Sequence, residues 1–274
     1  MSASYDELLA VARAAAEAAS KLLAPSGVHA TLRAQDIRHK GNPRDLVTEW
    51  DLRSEATIRA VLEERTPGIA ILAEEGGASG ASEVGAMRWL VDPIDGTVNF
   101  AHGLPIWSIS IGLEDAARRP IAGMVAAPAL GWWFEARAGG GARDERGPLR
   151  VSATPTLGDA LLTTGFPYDR ATNPDNNFVA WDHFQRVAGA CRRLGSASID
   201  LCLVARGVMD GYWERRLQPW DLAAGALIVA EAGGTVTNTR GGPFDPHSGE
   251  VVASNGAIHS ELIAELAVAG RSRS

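Results

Sequence analysis

Trp89-Leu90-Val91-Asp92-Pro93-Ile94-Asp95-Gly96-Thr97-Val98-Asn99-Phe100 is an apolar run that ends in two carboxylates three residues apart, with Gly-Thr directly after them. The run reads as a strand that stops at Asp92. Asp92 at the strand end and Asp95 in the turn can point into one space, and the intervening Ile94 carbonyl can face it too. Clustered oxygen donors of this kind suit a hard cation such as Mg²⁺. Gly96 permits a tight turn with exposed backbone N–H groups, and a helical turn starting at Thr97 would aim them at a phosphate. Capping and turn-making account for either aspartate taken singly. They give no reason to crowd two carboxylates against Gly-Thr.

Working outward, the segments on both sides supply more carboxylates. Ile69 to Leu72 reads as a short strand that runs into Glu74-Glu75 and then Gly76-Gly77. Adjacent glutamates after a strand are ordinarily a solvated end. Asp221 stands in Pro219-Trp220-Asp221-Leu222-Ala223-Ala224-Gly225, where N-capping of a following helix would explain it. Lys40, Asp45 and Asp51 form a weaker group around the polar loop Lys40 to Asp45.

The remaining chain gives two textures. An Ala-rich helix is predicted over residues 5 to 23 and a second over 53 to 65, the latter with Asp51 near its start and Pro67-Gly68 at its end. Strands are predicted at 108–113, 121–126 and 132–136, an antiparallel meander with a turn at Gly139-Gly140-Gly141. Further on, strands at 160–163, 211–214 and from Val236 alternate with helices at 177–190, 199–206 and 222–231. The expectation is an α+β half, residues 1–150, joined to an α/β half, residues 151–274, sharing one active site.

Composition narrows the class. The 274 residues are 46% hydrophobic and 22% charged, with a formal net charge of −7. That charge argues against a nucleic-acid partner held by general attraction. An acidic protein that binds phosphate needs a local reversal of sign, and divalent cations provide one. Cys191 and Cys202 have neither redox-pair nor zinc spacing and read as reduced core residues. Met1 to Glu7 carries no basic or apolar signal region, and no apolar run approaches the roughly 20 residues that cross a bilayer. A cytoplasmic protein without a membrane partner is expected.

Asp45-Leu46-Val47-Thr48-Glu49-Trp50-Asp51, Leu72-Ala73-Glu74-Glu75, Asp92 through Phe100, and Trp220-Asp221 through Gly233-Gly234 together resemble the inositol monophosphatase family, the lithium-sensitive, magnesium-dependent phosphatases, in its bacterial form. The resemblance covers nearly the whole chain and implies a layered αβαβα sandwich, roughly two to three Mg²⁺ ions per site and a homodimer. By position it implies Glu74, Asp92 and the Ile94 carbonyl as ligands of a first ion, and Asp92, Asp95 and Asp221 as ligands of a second. A weaker third ion would lean on Glu74. Asp51 and Thr97 match the pair that orients the attacking water, with Glu75 a further candidate catalytic group. Gly96 and Thr97 match backbone donors to the phosphate. Glu214 and the Ala197 main chain match contacts to the alcohol, and Asp95 is a further candidate substrate contact.

The implied reaction is hydrolysis of a phosphate monoester by metal-activated water without a covalent intermediate. The chain has no Gly-x-Ser-x-Gly and no Cys-x5-Arg phosphate loop that would suggest otherwise. The first substrate implied is myo-inositol 1-phosphate, a small phosphorylated polyol. Val98 replaces a second Thr common after Gly-Thr, Gln218 stands where animal enzymes have His, and Gly165-Phe166-Pro167-Tyr168-Asp169 lacks the serine of animal members. These departures touch the alcohol side. Histidinol phosphate, fructose 1,6-bisphosphate and 3′-phosphoadenosine 5′-phosphate stay open as substrates, and a regulatory protein-binding module stays open as another class. His102 and the Trp132-Trp133-Phe134 cluster read as structural or interface groups. Arg192-Arg193 and Arg215-Arg216 read as solvated, with one arginine available to a sugar hydroxyl or a partner subunit.

Overall fold

A computed structural model describes residues 4–24, 37–40, 44–80 and 86–271. Helix α1 (Tyr5–Leu22) starts where Ser4 and Glu7 cap each other, the Ser4 N–H donating to Glu7 Oε2 at 2.7 Å. Its Ala12, Ala15, Ala16 and Ala19 are fully buried, small enough to lay the helix flat on a sheet. Helix α2 (Glu49–Arg65) begins four residues earlier than the sequence predicts. The reason is a capping box: Thr48 is the cap residue, and the Asp51 carboxylate accepts from the Thr48 N–H at 2.7 Å. Asp51 therefore lies inside the first turn and fully buried.

The first sheet has eight strands in the order β10-β9-β8-β7-β6-β5-β3-β4. In chain order they are β3 (Ala70–Ala73), β4 (Gly77–Ser79), β5 (Arg88–Asp95), β6 (Ser108–Glu114), β7 (Pro120–Ala127), β8 (Trp132–Arg137), β9 (Ala142–Asp144) and β10 (Gly147–Pro148). β3 and β5 are parallel; the meander from β5 to β10 is antiparallel, as predicted. A short hairpin of β1 (Ile37–His39) and β2 (Leu46–Thr48) stands apart. The second sheet has five strands, β12-β11-β13-β15-β14. They are β11 (Leu161–Thr164), β12 (Ala190–Arg192), β13 (Gly211–Arg215), β14 (Thr235–Thr237) and β15 (Glu250–Ser254).

Helices α5 (Ala197–Ala205) and α6 (Pro219–Glu231) form the layer between the sheets. Two glycines let α6 press onto the first sheet. A Cβ on Gly112 would stand 2.9 Å from Ala223 Cβ, and one on Gly123 2.9 Å from Ala224 Cα. Helices α4 (Phe178–Val187) and α7 (His259–Arg271) cover the outer face of the second sheet, while α1 and α2 cover that of the first. The result is an αβαβα sandwich. α3 (Thr97–Ala101) is the predicted helical turn after Gly96.

Other boundaries also differ from the sequence reading. The predicted helix over 177–190 ends at Val187, and Ala190 opens a strand parallel to β11. Gly189 explains this: a Cβ there would lie 2.9 Å from the Gly158 carbonyl and 3.0 Å from that of Ala160, so the chain passes too close for a helix. Strand β5 continues past Asp92 to Asp95 through a register shift, where an end at Asp92 was predicted. Asp221 is three residues inside the start of α6, whose cap residue is Gln218. It holds the helix start from within, accepting from the Gln218 N–H at 2.7 Å. Cys191 and Cys202 are buried free thiols. Among the described residues no helix is long and apolar enough to cross a membrane.

Candidate active site

A cavity of about 390 Å³ opens where β5, the start of α5 and the start of α6 meet. Glu74, Asp92, Ile94, Asp95, Gly96, Thr97, Ala197, Glu214 and Asp221 all line it, together with Lys40 and Asp45. Residues far apart in sequence thus share one space. The bulge between Asp92 and Asp95 is what turns both side chains toward it. Ser54 Oγ donates to the Pro93 carbonyl at 3.0 Å, and the Ile94 N–H donates to Asp92 Oδ1 at 2.9 Å, which pins the bulge.

Asp95 is the most firmly held carboxylate. Its Oδ2 accepts from Ser196 Oγ at 2.7 Å and from the Ser198 N–H and Oγ at 2.7 and 2.5 Å, and its Oδ1 from the Ala197 N–H at 3.2 Å. Ser108 Oγ in turn bonds Ser198 Oγ at 2.6 Å. Sequence reading marks Ala197 but misses Ser108, Ser196 and Ser198. The signal available was Ser196 as a helix-capping residue ahead of an apolar run.

Burial raises the pKa of Asp95, and these donors oppose the rise. Asp92 is pushed well above the carboxylate range by burial and then by the charges of Glu74, Asp95 and Asp221. Asp221 is likewise raised well above it, by burial and then by Asp95 and Glu74. Glu74 is raised by burial, which outweighs the favourable charge of Lys40. The four carboxylates sense one another, and Lys40 Nζ lies 2.9 Å from Glu74 Oε1 and also pairs with Glu75. Burial lowers the Lys40 pKa, but Glu74 and Glu75 more than offset it.

Glu75 does not line the cavity. Its backbone N–H is tied to Glu55 Oε2 at 2.8 Å, and the neighbouring Gly76 N–H to Glu55 Oε1 at 2.9 Å. Thr97 Oγ1 is 3.0 Å from Asp51 Oδ1 and 3.0 Å from the Ile94 carbonyl. Asp51 Oδ2 accepts from the Thr48 N–H at 2.7 Å and Thr48 Oγ1 at 2.6 Å. Burial lifts the Asp51 pKa to about 6 against these bonds. Gly96, at φ +95°, leaves no room for a side chain: a Cβ would meet the carbonyls of Gly195 and Ile106 at 3.0 and 3.1 Å.

On the opposite side, Glu214 rises from β13 next to Gly165. Any Cβ at Gly165 would overlap both Glu214 carboxylate oxygens. Fully buried Tyr212 donates to Glu214 Oε2 at 2.6 Å, and burial raises the Glu214 pKa to about 7. Asp200 lies alongside and accepts from Thr163 Oγ1 at 2.7 Å. Tyr212, Asp200 and Thr163 were not singled out from sequence.

A profile described as the inositol monophosphatase family matches residues 4–271. The chain belongs to the inositol monophosphatase family. It is 45% identical over 237 residues to a protein named inositol-1-monophosphatase from Synechocystis sp., covering 86% of this chain and 81% of that one. It is 39% identical over 226 residues to the Nus factor SuhB of Pseudomonas aeruginosa, covering 81% and 83%. The solved inositol monophosphatase from Anabaena superposes with a TM-score of 0.85 at 37% identity, covering 96% of each chain. As an inositol monophosphatase family member, the protein is a phosphoric monoester hydrolase, and its fold is that of the family.

Proposed function

We propose that this chain hydrolyses the phosphate monoester of a small polyol, myo-inositol 1-phosphate first among them, with Mg²⁺ held by Glu74, Asp92, Asp95, Asp221 and the Ile94 carbonyl. One observation carries the reading: four carboxylates from three separate segments face one cavity beside the Thr97–Asp51 hydrogen bond. The donor set fits a hard cation, because among the described residues the cavity lining holds many oxygen donors and neither His nor Cys. Among the described residues no three such side chains are already gathered as a metal cluster, so drawing the set inward on a cation belongs to the reading. Bound there, Mg²⁺ would supply positive charge to the phosphoryl oxygens and lower the pKa of the attacking water.

The chain's own groups do the rest. Thr97 Oγ1 gives its hydrogen to Asp51 and keeps lone pairs to accept from a water, which orients that water. Asp51, held through its other oxygen by Thr48, can store the proton because its pKa sits at about 6. Backbone N–H groups at Gly96 and Thr97, at the head of the short α3 turn, would receive phosphate oxygens. Glu214 and the Ala197 segment would receive the alcohol hydroxyls.

Lithium sensitivity, a cytoplasmic location and a homodimer follow as expectations of the same reading. A second reading has its own support in the similarity to Nus factor SuhB: a regulatory protein-binding role. Asp92→Asn separates the two, since it should abolish phosphate release while leaving any protein binding intact. A phosphomonoester panel with Mg²⁺ tests the substrate; the absence of any preference for inositol 1-phosphate would overturn that part.

A further inference from the structure

Helix α2 carries polar side chains at Asp51, Ser54 and Glu55, the i, i+3 and i+4 positions of one helical face, and all are buried. Each reaches a different part of the cavity wall. Asp51 takes the Thr97 hydroxyl, and Ser54 donates to the Pro93 carbonyl inside the bulge. Glu55 turns to the segment that follows β3. Its Oε2 accepts from the Glu75 N–H at 2.8 Å and its Oε1 from the Gly76 N–H at 2.9 Å. Gly76 makes this approach possible, since a Cβ there would stand 2.5 Å from Glu55 Oε1.

Arg59, one turn further along α2, completes the clamp. Its Nε donates to Glu55 Oε1 at 2.8 Å, its Nη2 to the Gly77 carbonyl at 2.7 Å and its Nη1 to Ser79 Oγ at 2.5 Å. On the other side, the Glu74 N–H donates to the Val91 carbonyl of β5 at 3.1 Å. Glu74 is therefore held between β5 and α2, by its own backbone and by that of the residues after it. Its side chain lines the cavity with Asp92 and Asp221, whereas Glu55 and Arg59 do not line it. Glu74 and Asp92 repel each other, so a loose turn would swing Glu74 outward and a clamped one keeps the two facing.

We propose that Glu55 and Arg59 are positioning residues for the metal site: they hold the Glu74 turn in place against Asp92 and thereby set the affinity for Mg²⁺. This rests on the phosphatase reading and adds to it two residues that touch neither the ion nor the substrate. Outer partners of a ligand act in this way because a preset ligand gives up less freedom when the ion binds.

The test measures Mg²⁺ binding by isothermal titration calorimetry on EDTA-stripped protein, beside phosphate release from myo-inositol 1-phosphate over a range of Mg²⁺. Glu55→Gln keeps the side chain's size but sets an amide NH₂ where a backbone N–H needs an oxygen. Arg59→Lys keeps the charge but loses the fork that spans Gly77 and Ser79. Glu135→Gln is the control, because Glu135 is also buried and paired, with Arg13 and Arg143, but does not line the cavity.

The Mg²⁺ dissociation constant should rise about tenfold or more in Glu55→Gln and about threefold in Arg59→Lys. At saturating Mg²⁺, kcat should stay within about threefold of native and KM for the ester should not move. The control should melt lower with native Mg²⁺ affinity. Native Mg²⁺ affinity in either variant overturns the proposal, whatever its melting temperature, and so does a control that weakens Mg²⁺ as much as Glu55→Gln. Arg59→Lys, the milder change, decides alone should Glu55→Gln not fold. A native protein that binds Mg²⁺ but releases no phosphate overturns the phosphatase reading and leaves the clamp to be judged on binding. A native protein that binds no Mg²⁺ overturns both.

Discussion

Asp92, Ile94, Asp95, Gly96 and Thr97 reach the cavity from a single bulged strand end, whereas Gly165, the stretch from Arg193 to Ala197, and Glu214 reach it from three separate segments of the second half. The first region combines a local bond, Ile94 N–H to Asp92, with long-range ones: Ser54 to the Pro93 carbonyl, Thr97 to Asp51, and Ser196 and Ser198 to Asp95. The second is set by a bond within β13, Tyr212 to Glu214, and by Gly165, just past the end of neighbouring β11, whose lack of a side chain leaves room for the Glu214 carboxylate. The difference has a physical consequence. Two of the four clustered carboxylates share one turn, whereas Glu214, Gly165 and Ala197 stand on separate segments that single substitutions can alter one at a time.

The most severe way to break the comparison is Asp92→Asn. It removes a charge proposed to hold Mg²⁺ and should lower kcat by about three orders of magnitude, measured by phosphate release. The same variant should raise the melting temperature of metal-free protein, because Asp92 is repelled by Glu74, Asp95 and Asp221. A melting temperature that falls would contradict that electrostatic account. Next in size is Thr97→Ala, which deprives Asp51 of its proton relay. A loss in kcat of about a hundredfold with little change in KM is expected. An effect confined to KM would assign Thr97 to binding alone.

Tyr212→Phe probes the other region. Removing the buried donor to Glu214 should raise KM for a polyol phosphate by about tenfold. It should leave KM for p-nitrophenyl phosphate, which has no hydroxyl for Glu214, within a factor of about two. Equal losses on both esters would reduce Tyr212 to a packing role.

The smallest effect concerns pH. Asp51 moves from an ordinary 3.8 to about 6 in the fold, and Glu214 from 4.5 to about 7. Both groups bind protons more tightly folded than unfolded. Their contribution to stability is fullest below the lower values and is lost as pH rises through about 6 to 7. Metal-free protein should therefore melt lower at pH 8 than at pH 5.5, and Mg²⁺ should stabilise it more at pH 8. A metal-free melting temperature that rises over this interval would refute the assignment.

The two regions were also unequally legible in the sequence. The Asp92-Pro-Ile-Asp-Gly-Thr run stands out because its two carboxylates, turn and helix start are contiguous. The meander and the alternating second half showed an α+β half and an α/β half, while the layered sandwich came from the family resemblance. Asp51 and Asp221 were legible as acidic residues near helix starts, but their places within the first turns depend on capping by Thr48 and Gln218. The serine net around Asp95 was hidden because Ser108, Ser196 and Ser198 are unremarkable until β6 and α5 are brought together. The strand at Ala190 was hidden for a similar reason: Gly189 reads as one weak helix position, and only contact with residues 158–160 shows why the helix must stop.

Phosphate release from myo-inositol 1-phosphate, followed in protein stripped with EDTA and then titrated with Mg²⁺, addresses the acidic cavity most directly. The account predicts no turnover without metal and recovery that saturates with Mg²⁺ in the native protein but not in Asp92→Asn. Full turnover in EDTA would contradict it.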